Sequence, residues 1–331
     1  MRSGYLLPLL CMRIVVPDDY PPTYGSVDQE DLQRLKPHGE VIVHTTRAAD
    51  RAELFERIAE AEVLINVRAY TALDDEAMSK APRLKMISIL GTGTDNVDLP
   101  AAKARGVTVT NTPGVGAPSV AEITLGLLLA VARAIPISDA RLRAGTWQHV
   151  EGPELEGKTL GVLGLGAIGS RVARLGHGLG MRVVAWTFSR DPDRAARLGV
   201  TLVERDDLFR QADVVSVHLR NTPEARGFVG ERELALMKPS AILLNTARAA
   251  LIDQDAVVAA LQSGRLAGVG LDVYSEEPLP PDKNPFKDMP NVVLTPHVGA
   301  VTHEASARSR AMPVDNIIAF LEGKPLHVVN A

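Results

Sequence analysis

The stretch GVLGLGAIGSRVARLGHGLGMRVVAWTFSR, Gly161 to Arg190, holds a Gly-x-Gly-x-x-Gly turn at Gly164, Gly166 and Gly169. An apolar run precedes the turn and a segment with helical spacing follows it, which is the order a nucleotide-binding βα unit requires. Each glycine has its own task there. Gly164 permits the tight turn, Gly166 lets backbone N–H groups approach a pyrophosphate, and Gly169 lets the helix pack closely on the strand. Ala167 and Ile168 complete the turn, whose N–H groups and helix N-terminus face the anion.

Such a turn expects an Asp or Glu about 20 residues on, where it accepts hydrogen bonds from a ribose diol. Here the next strand, VVAWT, ends on Thr187, and Phe188, Ser189 and Arg190 follow. Without the acid nothing repels a 2'-phosphate, while Arg190 offers a charge-assisted fork and Ser189 a hydroxyl. NADP(H) is therefore favoured; NAD(H) is the alternative if Arg190 is only a solvated neighbour of Asp191. Arg220, after VVSVHL, is a second cation expected at the adenosine end.

Outward from this stretch, the runs RVVAW, ADVVSVHL, AILLNTA, GVGLDV and NVVLTPHVG are almost continuously apolar. Strands of that kind are covered on both faces, as in a doubly wound parallel sheet. A separate alternating series lies nearer the N-terminus: RIVVP (13–17), EVIVHT (40–45), EVLINV (62–67), KMISIL (85–90) and VTVTNT (107–112). Helical segments separate these strands, one opening with Ser26-x-x-Gln29 as a capping box and another reading RAELFERIAEA (51–61).

Pro113, Gly114, Gly116 and Pro118 then break the pattern, and a helix from about Ser119 is apolar nearly all round. It packs on more than one side, one of them expected to be a second copy of the chain in a homodimer. The C-terminal ASARSRAMPVDNIIAFLEG reads as a helix running back over the first domain. The expected fold is thus α/β with two doubly wound parallel-sheet domains. A discontinuous flavodoxin-like substrate domain takes residues 1–112 and 299–331, and a Rossmann cofactor domain takes 113–298.

Composition narrows the function classes. The chain has 331 residues, 46% hydrophobic and 23% charged, with a net charge of −4. It carries no Lys/Arg block, so no nucleic-acid partner is expected. The longest apolar run, ITLGLLLAVA (123–132), falls short of the roughly 20 residues needed to span a bilayer, so no membrane partner is expected either. Cys11 is the single cysteine, which excludes an intramolecular disulfide and favours a reducing, cytoplasmic compartment. The opening GYLLPLLC, broken by Pro8 and lacking a small-residue cleavage site, reads as a ragged start and not as a signal peptide.

Four segments carry a resemblance: GTGTDNVDL (91–99), LGLGAIGSRVA, NTARAALID (245–253), and LDVYSEEP with LTPHVGA (271–278, 294–300). With the pattern between them, the chain from about Met12 resembles the D-isomer-specific 2-hydroxyacid dehydrogenases, glyoxylate/hydroxypyruvate reductase-like or phosphoglycerate dehydrogenase-like. The resemblance implies hydride transfer between a nicotinamide and C2 of a small 2-hydroxy or 2-keto acid. It implies that Arg248 grips the substrate carboxylate and polarises the carbonyl, as a planar guanidinium can. His297 matches the acid/base, and Glu277, directly before Pro278, matches the carboxylate that holds it, with Glu276 the neighbouring candidate.

The same match places Thr92 and Gly93 as backbone donors to the substrate carboxylate, Asp272 near the nicotinamide amide, and Thr246 and Ala247 as contacts beside it. The chain departs from the family at Thr187, at Ala249 where glycine is usual, and at Arg220-Asn221 where an apolar or proline pair is expected. His177 and His218 match no partner pattern and read as structural. No metal site is expected. Two alternatives remain: a nucleotide-sensing, corepressor-like binding protein of this fold, and 3-phosphoglycerate dehydrogenase, against which stand the chain's length and the absence of a basic cluster for a substrate phosphate.

Overall fold

The computed structural model describes residues 12–67 and 70–331. The opening GYLLPLLC and Cys11 lie outside them. The chain divides into two compact units, one running through Val115 and resuming at Thr302–Ala331, the other Gly116–Val301. These junctions lie slightly beyond the expected ones at 112/113 and 298/299. Contacts explain the shift, since Thr112 bonds Gly91 through its backbone N–H and hydroxyl, and the Val115 carbonyl accepts from Arg308 at 2.9 Å. At the other junction Gly299 N–H is held by Asp272 at 2.8 Å.

The first unit has five parallel strands, β1 (Met12–Val16), β2 (Gly39–Val43), β3 (Val63–Asn66), β4 (Met86–Ile89) and β5 (Thr108–Thr110), in the order β2-β1-β3-β4-β5. That is the flavodoxin-like winding, with its topological switch between β1 and β3. Ile14 of β1 lies opposite Val41 and Val63, so aliphatic side chains align across the sheet. One face buries Leu54, Leu64, Ile87 and Val109, and the other buries Ile14, Ile65, Met86 and Ile317.

The capping box at Ser26 does not form. The helix starts later, at Glu30–Gln33, and Gln29 is its cap, its side chain accepting from Asp31 N–H at 2.8 Å. Ser26 Oγ instead accepts from Asp28 N–H at 3.1 Å, a local turn that competes with helix initiation. The helix Arg51–Ile58 forms as read, capped by Asp50. The C-terminal helix, His303–Leu321, buries Val314 and Ile317 in the first unit's core. Beyond it the chain lies along β5, with Val329 N–H on Val109 O at 2.9 Å.

The second unit has seven parallel strands: β6 (Thr159–Leu163), β7 (Arg182–Trp186), β8 (Thr201–Leu202), β9 (Val214–Val217), β10 (Ile242–Asn245), β11 (Gly268–Leu271) and β12 (Val292–Leu294). Their order, β12-β11-β10-β9-β6-β7-β8, reverses direction between β6 and β9, which is the Rossmann switch point. Both faces are covered, one around Phe209, Val217 and Leu243, the other around Leu127, Leu160, Val162 and Leu244. The apolar helix is Ala117–Ala132 and takes Pro118 in its first turn, where a missing N–H costs nothing. It packs on β10, β11, β12 and the helix Gly169–Gly178, leaving a stripe at Glu122 and Gly126 exposed. Among the described residues no single helix is long and apolar enough to cross a membrane.

Candidate active site

The glycine turn follows β6 directly. Gly164 has φ +95°, and a Cβ there would stand 2.7 Å from the His218 carbonyl, so only glycine fits. A Cβ on Gly169 would stand 1.9 Å from the Gly164 carbonyl, which locks the helix start onto the strand end. Gly166 differs, because nothing lies within 4 Å of its added Cβ. The open space is thus at the middle glycine. Ile168 is the N-cap of Gly169–Gly178 and provides no side-chain cap; Ser170 and Arg171 N–H bond the Gly166 and Ile168 carbonyls at 3.0 and 2.8 Å, so an anion is met by the N–H groups of the turn ahead of them. An open middle glycine and an uncapped helix fit a dinucleotide pyrophosphate.

At the end of β7 the half-buried Thr187 leads into the exposed Phe188, Ser189 and Arg190. Arg190 bonds Glu204 at 2.6 Å, whereas Asp191 pairs with Arg194 and caps the helix Pro192–Leu198. The partner of Arg190 is therefore Glu204, the N-cap of the helix Arg205–Gln211, and not the expected Asp191. Trp186, Phe188 and Phe228 cluster here with ring centroids 4.8 to 5.7 Å apart, an aromatic group the sequence reading missed because Phe228 is remote in the chain. Arg220 is exposed beyond the end of β9.

The ends of β10, β11 and β12 carry the remaining candidates of this unit. Asn245, fully buried as the last residue of β10, accepts from Ala247 N–H at 3.0 Å and donates to the Arg248 carbonyl at 2.9 Å. This side chain shapes the loop that presents Arg248, and the sequence reading passed over it. Thr246 is buried against Thr124, 2.8 Å between hydroxyls. Arg248 donates to the Ala247 carbonyl at 2.7 Å.

His297, at φ +52°, sets its Nδ1 2.6 Å from Glu277 Oε2. Glu277 Oε1 accepts from Tyr274 N–H at 2.9 Å, so both oxygens are engaged. Glu276 turns away to Lys283 at 2.9 Å. Partial burial raises the Glu277 carboxyl, but the hydrogen bonds from His297 and Tyr274 N–H and the charges of His297 and Arg248 outweigh it, holding it below the usual carboxylate range. Arg248 is thus near enough for its charge to be felt at Glu277. Burial also pushes the Tyr274 phenol up to about 12, and that hydroxyl donates to Thr295 O at 2.9 Å.

Asp272, buried after β11, accepts from Thr295 Oγ1 at 2.6 Å, Val298 N–H at 2.9 Å and Gly299 N–H at 2.8 Å. The expected place near a nicotinamide amide is thus one where it already braces the His297 loop from both sides. His218 accepts or donates at Nε2 with Ser216 Oγ, 2.8 Å away, while its buried Nδ1 has no partner among the described residues.

In the first unit, Thr92 and Gly93 follow β4. Thr92 is exposed and Gly93 half-buried. The glycine with positive φ in this loop is Gly91, at +135°. The loop is clipped to the end of β5, with Gly91 N–H on Thr112 Oγ1 at 2.7 Å and Asn111 Nδ2 on Thr92 O at 2.7 Å.

Residues 125–299 match the family described as D-isomer specific 2-hydroxyacid dehydrogenase, NAD binding domain. A glyoxylate reductase from Thermococcus litoralis is 40% identical over 294 residues, 86% of this chain and 88% of that protein. A D-3-phosphoglycerate dehydrogenase from Mycobacterium bovis is 42% identical over 287 residues, 86% of this chain but 54% of that protein. Among solved structures, an acyclic imino acid reductase in complex with NADPH and D-Arg superposes with a TM-score of 0.86 at 29% identity, covering 96% of this chain and 100% of that one. The chain belongs to the D-isomer specific 2-hydroxyacid dehydrogenase family and is an oxidoreductase that uses a nicotinamide cofactor.

Proposed function

We propose that the protein is an NADP(H)-dependent reductase of small 2-keto acids, glyoxylate and hydroxypyruvate being the first to try. The observation that carries this reading is the 2.6 Å pair of His297 and Glu277, whose carboxylate also feels the charge of Arg248. A reduced nicotinamide supplies the hydride when bound. The chain's residues do the rest. Arg248 grips the carboxylate and polarises the carbonyl, Thr92 and Gly93 offer backbone donors, and protonated His297 gives its proton to the carbonyl oxygen while Glu277 holds the ring.

Support for NADP(H) is chemical. No acid stands at Thr187, the Arg190–Glu204 pair is exposed and readily exchanged for a phosphate, and Arg220, exposed after β9, offers a second cation. The likeness to a reductase holding NADPH agrees. Exposed Ile135, Leu142 and Trp147 favour a homodimer, and the single cysteine favours the cytoplasm.

Purified protein with NADPH or NADH and a series of 2-keto acids tests the reading, and no turnover with any would defeat it. Nucleotide binding without turnover would mark the corepressor-like alternative instead. Arg190→Asp should move the NADPH/NADH preference toward NADH by about tenfold or more, the scale of one charge-assisted bond. An unchanged ratio would remove Arg190 from the site.

A further inference from the structure

The C-terminal segment reaches the Thr92–Gly93 loop through a chain of side-chain amides. Asn316, fully buried on the helix His303–Leu321, donates through Nδ2 to the Asn111 carbonyl at 3.0 Å. Its Oδ1 lies 2.9 Å from His327 Nδ1, and because that oxygen can only accept, the His327 ring donates. The His327 carbonyl in turn accepts from Asn111 N–H at 3.2 Å. Asn111 is therefore gripped at both its backbone groups by residues more than two hundred positions away, and its own Nδ2 holds the Thr92 carbonyl at 2.7 Å.

A trans peptide is planar, with its C=O and N–H on opposite sides. Fixing the Thr92 carbonyl toward Asn111 therefore aims the Gly93 N–H the other way, out of the loop. We infer that Asn111, set by Asn316 and His327, is the positioning residue that orients the Gly93 N–H toward the substrate carboxylate. The inference rests on the reductase reading and adds residues that neither the motif at 91–99 nor the acid/base group contains. It also gives the buried Asn316, otherwise an expensive polar group in an aliphatic core, a reason to be there.

The test is steady-state kinetics of Asn111→Asp and His327→Ala against the wild type. Asn111→Asp keeps the shape but replaces the donor with a charge that repels the Thr92 carbonyl. KM for the 2-keto acid should rise about tenfold, the scale of one misaligned bond to a charged group, with kcat within about threefold and the nucleotide KM unmoved. His327→Ala, on an exposed side chain, should shift the same KM in the same direction by about two- to fivefold. A merely structural role would lower thermal stability without separating the two KM values. The inference is overturned if the keto-acid KM stays within twofold in the variants that fold, His327→Ala deciding if Asn111→Asp does not. A wild type that reduces no keto acid would instead sink the reductase reading before any variant is compared.

Discussion

Glu277 sits where two demands meet, since partial burial favours the neutral acid and His297 favours the carboxylate; the geometry shows the second winning. Glu277→Gln keeps the size and loses the charge. It should lower kcat by about 10²-fold while raising the keto-acid KM much less, because the interaction strengthens only as the imidazole changes charge. A kcat within threefold of wild type would remove Glu277 from proton transfer. At β9 the balance runs the other way, for burial without a counter-charge pushes the His218 ring down to about 3. Between that value and the unfolded value of about 6.5 the unfolded chain binds a proton the native chain does not, so stability falls as pH drops through this window. From pH 7.5 to 5 the apoprotein should lose about 2 kcal/mol more than His218→Asn in urea titrations; parallel losses would show that the ring is solvated. His297 and Arg248 were legible as residue types at strand ends. Asn245 and Asp272 were not legible in these roles, since what they do is hydrogen-bond backbone N–H and C=O groups that only the folded register brings near.

At the scale of elements, the strand–turn–helix at 159–178 was the most readable part of the chain, because the tasks of its glycines follow from local sterics. The structure sharpens them into opposite predictions. Gly169→Ala drives a methyl into the Gly164 carbonyl at 1.9 Å, a backbone clash no rotamer can relieve, and should cost about 3 kcal/mol or more of stability. Gly166→Ala meets nothing and should leave the melting temperature within about 2 °C, yet weaken nucleotide binding about tenfold or more, since the methyl occupies the approach of the pyrophosphate. Calorimetry and a nucleotide titration of the two variants check this, and equal loss of stability in both would contradict it. The capping box at Ser26 failed for a reason equally local, because Ser26 Oγ is spent on the Asp28 N–H of its own turn while Gln29 accepts from Asp31 N–H and caps the helix instead.

For the whole molecule, alternation of strands and helices predicted two parallel sheets, but the tail from residue 324 along β5 was not foreseen: its bonds are to backbone groups of β5, which leave no periodicity in the chain. Each sheet has aliphatic clusters on both faces drawn from its own unit, so each unit holds what it needs to unfold as a cooperative body. The nucleotide turn belongs to Gly116–Val301 alone. Differential scanning calorimetry should therefore resolve two transitions, with NADPH at about a hundred times its Kd adding about 2.7 kcal/mol to one of them. For a unit of this size that is a rise of about 5 to 10 °C, leaving the other transition nearly in place. Gly166→Ala should cut the rise to about half or less at the same NADPH concentration without moving the unliganded transitions. A single transition that shifts as a whole would mean that the two units unfold as one, and that nucleotide stabilises residues far from the glycine turn.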